Sequence, residues 1–274
     1  MSTIELTTAP EYLLGADENE RTRLLLQGEI HRAQAQRLLG RLSVAGGGRV
    51  LDVGCGPLGV LDLLSAAVGA DGEAIGLDNE PRMIAYAQQS IAELGLTNVR
   101  LALGEADETG LADESIDLAH ERLVLINHPG PERVVAEMAR VVRPGGWVAL
   151  QEVDALSWAC EPRHPAFDHL LATFVEAFTA AGLDPFVGRR LPALLRTAGL
   201  SDVEFEAQAH VWHSGHPYQA LLLHFMGVLR ERIVQSAILS EARLNRLVAE
   251  VEQHLARPDT FVIHPLFFQA WGRR

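Results

Sequence analysis

The chain has 274 residues, of which 48% are hydrophobic and 22% are charged, proportions that are usual for a folded globular protein. Its formal net charge is −13, so a nucleic acid backbone or an anionic membrane would be repelled, and neither is predicted as a partner. The 23 lysine and arginine positions are all arginine, which excludes catalysis by a lysine Schiff base or a P-loop lysine.

The N-terminus and the cysteines bear on the cellular compartment. Residues 1–10 contain no basic region followed by an apolar stretch, and no window of the sequence reaches the length of a membrane span. We therefore expect a cytoplasmic protein. The two cysteines, Cys55 and Cys160, are too few for a disulfide framework, and we expect both to be free thiols.

The first predicted elements are a helix over residues 17–42 and a strand over residues 50–53, which ends in a glycine-rich turn. Gly54, Gly56 and Gly59 match the dinucleotide-binding pattern G-x-G-x-x-G. Glycines in such a turn let backbone N–H groups approach a ligand at the start of the following helix. The pattern predicts a nucleotide site, but it does not by itself identify the nucleotide.

Strands and helices then alternate as far as residue 152. Helices are predicted over residues 60–68 and 81–94 and from residue 131, and strands over 73–77, 99–103, 116–119 and 147–152. This alternation predicts an α/β fold with a Rossmann-like, doubly wound, seven-stranded and mostly parallel sheet. Acidic residues fall at the carboxyl ends of the strands, where such sheets bind ligands: Asp52, Asp78, Glu105, Glu121 and Glu152.

The second half of the chain is predicted to complete the sheet with strands near 203–211 and 261–271. Apolar helical inserts near 155–184 and 212–258 interrupt it and should form a cap over the sheet. We therefore divide the chain into a covering N-terminal arm (1–47), a nucleotide-binding core (48–154) and a capped remainder (155–274). A helical cap above a polar rim predicts a closed pocket for a small molecule.

The acid before the glycines distinguishes between two kinds of nucleotide. Asp52 would repel the pyrophosphate of a dinucleotide but would attract a ligand that carries an ammonium and a sulfonium. Four segments in order resemble the successive motifs of class I S-adenosylmethionine-dependent methyltransferases, in their small-molecule, UbiE-like (type 11) branch. They are VLDVGCGP (50–57), GLD (76–78), GEAD (104–107) and RVVRPGG (140–146).

This resemblance implies S-adenosylmethionine as cofactor, with S-adenosylhomocysteine as product. It implies that Asp52 holds the methionine moiety, that Asp78 holds the ribose hydroxyls, and that Glu105, where the family usually has aspartate, accepts from the adenine amino group. The implied cofactor-binding residues are Tyr12, Gln27, Asp52, Gly54, Cys55, Gly56, Asp78, Asn79, Glu105, Ala106, His120 and Glu121.

Methyl transfer needs alignment and exclusion of water more than a fixed catalytic signature. The candidates for a general base are His120, His128, Glu152 and Asp154, although for His128 the favoured alternative is a loop residue that caps the next helix. Trp158, Trp212 and Phe186 are candidate walls of the acceptor pocket, or plain core for the tryptophans. His213 and His216 lack further ligands at recognisable spacing, so no metal is predicted.

The sequence thus predicts an enzyme that methylates oxygen, nitrogen or carbon of a small, apolar or aromatic metabolite, as in secondary metabolism. We expect a monomer or a homodimer. Two alternatives remain open at this point: an NAD(P)-dependent oxidoreductase, and a protein that binds S-adenosylmethionine without transferring methyl, such as a regulatory protein or a cyclase.

Overall fold

A computed structural model describes residues 14–274 of the chain. Its main sheet has seven strands in the order β3-β2-β1-β4-β5-β10-β7, and all neighbours are parallel except that β10 runs antiparallel to both β5 and β7. The predicted α/β fold class is therefore confirmed. These strands are β1 (Arg49–Val53), β2 (Glu73–Asp78), β3 (Val99–Leu103), β4 (Ile116–Arg122), β5 (Val142–Asp154), β7 (Ser201–Gln208) and β10 (Leu266–Arg273).

Helices cover both faces of the sheet, and they form where apolar residues recur at helical spacing. The helices along the chain are α1 (Glu18–Leu42), α2 (Leu61–Val68), α3 (Pro81–Leu94), α4 (Pro131–Val141), α5 (Pro165–Ala180), α6 (Leu191–Thr197), α7 (Leu221–Val228), α8 (Arg230–Gln235) and α9 (Glu241–Leu255). In β1 the side chains of Val50, Leu51 and Val53 are all fully buried, because this central strand has helices on both sides.

The two predicted inserts form one cap that includes strands as well as helices. α5 packs against α7, α8 and α9, and it also contacts a second, three-stranded sheet in the order β6-β9-β8, whose strands are β6 (Ala159–Glu161), β8 (Val211–His213) and β9 (Phe261–Ile263). The sequence did not predict this small sheet. Its strands are only three residues long, and they pair with segments that are distant in sequence.

Two predicted strands are wrong in their extent. The strand predicted over 203–211 is β7, which ends at Gln208, and Val211 already belongs to the small sheet. The strand predicted over 261–271 breaks at His264-Pro265 into β9 and β10, which lie in different sheets. Proline has no N–H to donate to a strand ladder, which favours a break at this position. The break places His264 at the junction of sheet and cap.

α1 begins at an N-cap, where the Asp17 carboxylate accepts a hydrogen bond from the Glu20 backbone N–H at 2.9 Å. Further along the helix, the His31 ring stacks on Phe267 of β10 with 4.1 Å between ring centroids. α1 therefore packs on β10, and its His31 ring also contacts His264, at the junction with the cap, with 6.2 Å between ring centroids. Between residues 14 and 274, no helix has both the length and the apolar character that crossing a membrane requires.

Candidate active site

A cavity lies between the carboxyl ends of the parallel strands and the cap. Its sheet side is lined by Gly54, Gly56, Leu77, Asp78, Asn79, Glu80, Met83, Gly104, Glu105 and Ala106. Its cap side is lined mainly by Val153, Ala155, Trp158, Phe174, Phe178, Leu221, Phe225, His264 and Pro265. Gln27 of α1, Arg122 at the end of β4 and most of residues 123–129, which follow β4, also line it. One end of the cavity is therefore polar and the other is mostly aromatic and aliphatic.

The glycine turn after β1 requires glycine for two separate reasons. Gly54 and Gly59 have φ angles of 64° and 57°, which L side chains rarely adopt. A Cβ at Gly54 would also lie 2.4 Å from a Val124 methyl group, and a Cβ at Gly59 would lie 2.1 Å from the Asp52 carboxylate. The turn is therefore packed tightly against β4 and its own strand, and it leaves its backbone open toward the cavity.

Asp78, at the end of β2, anchors this turn from the neighbouring strand. Its carboxylate accepts from Gly56 N at 2.8 Å and from Glu80 N at 2.9 Å. Burial raises the pKa of this carboxyl group. Next to it, the Asn79 side-chain amide donates to Glu105 at 3.0 Å. The sequence predicted all three residues as cofactor contacts, and the structure brings them together along one side of the cavity.

Asp52 lies below the turn rather than in the cavity. Its side chain is 1% exposed, and it accepts from Val60 N at 3.0 Å and is paired with His120 Nδ1 at 2.8 Å. His120 also contacts Gln151 Oε1 through Nε2 at 3.1 Å. Neither Asp52 nor His120 lines the cavity. The structure therefore places Asp52 beneath the glycine turn, with His120 paired to it, and their predicted contacts with a ligand stay a prediction.

Two further predicted residues, Glu121 and Glu152, form a buried carboxyl pair beneath the segment after β4. Glu121 accepts from Val124 N, and Glu152 accepts from Ile126 N, each at 3.1 Å. Burial raises the pKa of both groups, and that of Glu152 reaches about 8. Neither residue lines the cavity, and both hold the backbone of the segment that does; the roles predicted for Glu121 in cofactor binding and for Glu152 in catalysis stay predictions.

Three other predicted side chains are engaged elsewhere. Asp154 forms an ion pair with Arg189, whose Nη2 donates at 2.6 Å, and it caps the following turn through Leu156 N at 3.0 Å. Phe186 lies in a separate surface groove beside α5. Trp212 stacks on His216 with ring centroids 4.3 Å apart and does not line the cavity.

Asp154 is the last residue of β5 and Phe186 lies before α6, and no pattern in the sequence indicates which way either side chain turns. Cys55 is 1% exposed and lines no part of the cavity, although it lies within the glycine turn. Tyr12, the remaining predicted cofactor contact, lies outside the described residues.

His128 does line the cavity, as predicted, but both of its ring nitrogens are already oriented. Nδ1 accepts from Gly130 N at 3.0 Å, so the neutral ring carries its proton on Nε2, which lies 3.6 Å from Asp107. Burial lowers the pKa of His128, which favours the neutral ring. This geometry matches the helix-capping alternative for His128 better than a general base.

Among the cavity residues that the sequence analysis missed are Arg122 and His264. Arg122, the last residue of β4, donates to the Gly59 carbonyl at 3.1 Å and has no carboxylate within ion-pair distance in the described part of the chain. His264 lies in the break between β9 and β10. Arg122 could have been proposed from the sequence, because it directly follows Glu121 at the end of a predicted strand. His264 could not, because its position depends on the break between β9 and β10, which the sequence analysis did not predict.

Residues 14–274 contain no cluster of three or more His, Cys, Asp or Glu side chains that could hold a metal ion.

A parallel sheet with one antiparallel strand, a glycine turn and an acid at the end of β2 together define a nucleotide-dependent α/β enzyme. Comparison with known proteins narrows this class. The methyltransferase domain family matches residues 45–180. Demethylmenaquinone methyltransferase from Geobacillus kaustophilus is 32% identical over 186 residues, which cover 64% of this chain and 80% of that protein.

An arsenite methyltransferase from Halobacterium salinarum is 38% identical over 111 residues, which cover 40% of this chain but only 28% of that longer protein. Among solved structures, the YcgJ protein from Bacillus subtilis superimposes with a TM-score of 0.60 at 19% identity, covering 89% of this chain and all of that one. The chain belongs to the class I S-adenosylmethionine-dependent methyltransferases. The predicted family and cofactor are thereby confirmed, and the oxidoreductase alternative is set aside.

The residues present fit this cofactor. Gly54 and Gly56 of the glycine turn line the cavity without a Cβ, Asp78 presents a carboxylate beside them, and Arg122 presents a cation without a carboxylate partner among residues 14–274. S-adenosylmethionine carries a carboxylate, a ribose diol and an adenine, which require these kinds of partner.

Proposed function

We propose that this enzyme methylates a small, apolar or aromatic metabolite. The observation that carries the proposal is the two-sided cavity, which has polar groups at the strand ends and aromatic and aliphatic side chains under the cap. S-adenosylmethionine, when bound, supplies a methyl group on a positively charged sulfur that is already a good leaving group. The chain therefore has to bind, orient and exclude water.

The polar end is assigned to the cofactor. Asp78 accepts from the ribose hydroxyls, and Asn79 and Glu105 border the adenine with the Ala106 backbone. Gly54 and Gly56 give the methionine moiety access to the backbone, and Gln27 closes over it from α1. Arg122 holds the methionine carboxylate, because it lines the cavity beside the glycine turn and is without an acidic partner among residues 14–274.

The apolar end is assigned to the methyl acceptor. Trp158 meets Phe174 and Phe225 edge-on, with ring centroids 5.7 and 6.2 Å apart, and Phe178 lies 4.4 Å from Phe174. Aromatic rings packed in this way present flat, apolar surfaces that suit a flat, apolar ligand. They also keep water away from the transferring methyl group.

The chemistry of the cavity favours an aromatic acceptor over arsenite, the acceptor for which one relative is named. Trivalent arsenic is a soft centre that prefers thiolates. The only cysteines of the chain, Cys55 and Cys160, are both buried and do not line the cavity, and burial raises the pKa of both thiols. The relatives named for demethylmenaquinone support the same choice.

The test is methyl transfer by the purified protein from methyl-labelled S-adenosylmethionine, with anaerobic 1,4-naphthohydroquinone and with arsenite in separate reactions. We expect label in the naphthohydroquinone product and none in arsenic species. Transfer to arsenite would refute the acceptor class. Binding of S-adenosylhomocysteine without transfer to the aromatic acceptor would instead favour the regulatory or cyclase alternative.

A matched pair of variants on α5 locates the acceptor. Phe174 lines the cavity, whereas its neighbour Val175 lines the outer groove. We expect Phe174→Ala to raise KM for naphthohydroquinone and Val175→Ala to leave it unchanged. An equal effect of the two substitutions would place the acceptor elsewhere.

A further inference from the structure

Two residues on the cap side of the cavity each have a polar ring atom that lacks a hydrogen-bond partner among residues 14–274. His264 and Trp158 are 3% and 4% exposed, and neither His264 Nε2 nor Trp158 Nε1 has a hydrogen-bond partner in the described part of the chain. Both residues line the cavity, and their ring centroids lie 6.0 Å apart. Buried polar groups are normally paired, so an acceptor and a donor left open beside one cavity point to a ligand that pairs with both.

The open atom of His264 is a hydrogen-bond acceptor. Its Nδ1 lies 3.1 Å from the Pro265 carbonyl oxygen, which can only accept, so Nδ1 carries the proton and Nε2 keeps its lone pair. Burial lowers the pKa of His264 to about 4, so the ring stays neutral at physiological pH. The indole N–H of Trp158 can only donate. The two residues therefore offer opposite halves of a hydrogen-bonding pair.

The fold holds both rings firmly in this position. Trp158 follows a short turn after β5 and packs edge-on against Phe174 and Phe225. His264 is fixed by the strand break, and its backbone N–H donates to the His210 carbonyl at 2.9 Å. The other side chains on the cap side of the cavity are apolar. His264 Nε2 and Trp158 Nε1 are therefore the side-chain atoms through which this side can form hydrogen bonds with a ligand.

Only some functional groups satisfy both atoms at once. A hydroxyl group donates one hydrogen bond and accepts others, so it pairs with His264 Nε2 and Trp158 Nε1 together. A carbonyl or ether oxygen only accepts and leaves the imidazole open, and a hydrocarbon leaves both open. We propose that His264 and Trp158 are specificity-determining residues that select methyl acceptors bearing a hydroxyl group on the aromatic frame.

This inference rests on the proposed function and adds the polar group of the acceptor to it. It is tested by binding, with the protein saturated with S-adenosylhomocysteine and titrated with 2-naphthol or with naphthalene. The two probes differ only in the hydroxyl group. The variants are His264→Phe and Trp158→Phe, which remove the open atoms and keep aromatic rings. His254→Phe is the control, because His254 is a buried histidine of α9 that does not line the cavity and packs against His164 rather than against His264.

We expect the wild-type protein to bind 2-naphthol about tenfold more tightly than naphthalene, since the hydroxyl pairs otherwise open atoms. Each cavity variant should reduce this ratio toward one and leave naphthalene affinity within about twofold. The control should keep the wild-type ratio. Thermal unfolding and S-adenosylhomocysteine binding establish that each variant is folded. If His264→Phe does not fold, the affinity ratio measured with Trp158→Phe tests the proposal.

The possible failures are distinguishable. If wild-type protein binds both probes equally, or if the ratio survives both cavity substitutions, the selection by His264 and Trp158 is overturned while the aromatic acceptor pocket stands. If the protein binds S-adenosylhomocysteine but neither probe, the proposed acceptor class is overturned together with this inference.

Discussion

Arg122 is the residue that most clearly indicates which group of the ligand it binds, because its positive charge calls for an anion. It carries a positive charge that lines the cavity, and its side chain is fixed by the Gly59 carbonyl rather than by a carboxylate. If it holds the methionine carboxylate, Arg122→Met should weaken S-adenosylhomocysteine binding by about 10- to 100-fold, the worth of a charge-assisted hydrogen bond. Calorimetry measures this directly.

The control ligand is 5′-methylthioadenosine, which lacks the amino acid moiety, and its affinity should not change in the variant. The control variant is Arg100→Met, which removes a surface arginine paired with Glu73 on the outer strands. An equal loss of both ligands in Arg122→Met would mean that the arginine supports the cavity without touching the carboxylate.

Asp52 should contribute to the stability of the fold as well as to cofactor binding. Its carboxylate is buried and has two hydrogen-bonding partners, so Asp52→Asn should lower the free energy of unfolding by about 1–3 kcal/mol as well as weaken cofactor binding. Urea denaturation checks the first effect. Asp71→Asn, in an exposed turn, should leave stability close to wild type. A stable Asp52→Asn protein would contradict the supporting role.

At the scale of elements, the glycine turn combines backbone conformation with close packing. Gly47 and Gly59 both have positive φ, at 81° and 57°, but a Cβ would meet nothing within 4 Å at Gly47 and would collide with Asp52 at Gly59. Gly47→Ala should therefore cost only the conformational strain, about 1 kcal/mol. Gly59→Ala should cost clearly more and should abolish cofactor binding, which denaturation and calorimetry together measure. Equal losses in the two variants would contradict the collision.

The segment after β4 should make stability depend on pH through the carboxyl pair beneath it. Burial raises the pKa of Glu152 in the folded protein to about 8, above its value of about 4.3 in an unfolded chain. Between these values the folded state holds protons that the unfolded state has released, so stability falls as pH rises, by up to about 1.4 kcal/mol per pH unit.

Glu152→Gln removes this titration and the charge that raises the pKa of Glu121. We expect the variant to unfold at a higher urea concentration than wild type at pH 8 and to show a smaller change between pH 5.5 and pH 8. Glu93→Gln, on the exposed face of α3, should retain the wild-type slope. A wild-type slope in Glu152→Gln would refute the assignment.

The elements also show what the sequence alone could establish. The alternation of strands and helices, the glycine turn, and Asp78, Asn79 and Glu105 were predictable, because local periodicity and ordered motifs determine them. The direction of a side chain at a strand end was not predictable from the sequence. A shift of one residue along a strand moves a side chain to the other face, and this decides that Asp52 at the end of β1 is buried whereas Arg122 at the end of β4 reaches the cavity. The split at Pro265 was missed because β9 and β10 read as one apolar run.

For the whole molecule, ligand binding should appear as global stability, because the cavity is formed jointly by α1, the sheet and the cap. S-adenosylhomocysteine at a hundredfold excess over its Kd should stabilise the fold by about 2.7 kcal/mol and raise Tm by about 5–10 °C. NAD⁺ and NADP⁺ at the same concentration should not shift Tm. A shift with either dinucleotide would contradict the cofactor assignment.

The cap enters the fold as insertions between strands of one sheet, after β5 and after β7. The residues assigned to the cofactor lie mostly before the first insertion, whereas the aromatic wall and His264 lie within or after it. The two halves of the cavity can therefore diverge independently. Exchanging the cap segments with those of a relative should transplant acceptor preference onto an unchanged cofactor platform, and this separation provides a route by which one scaffold acquires new acceptors.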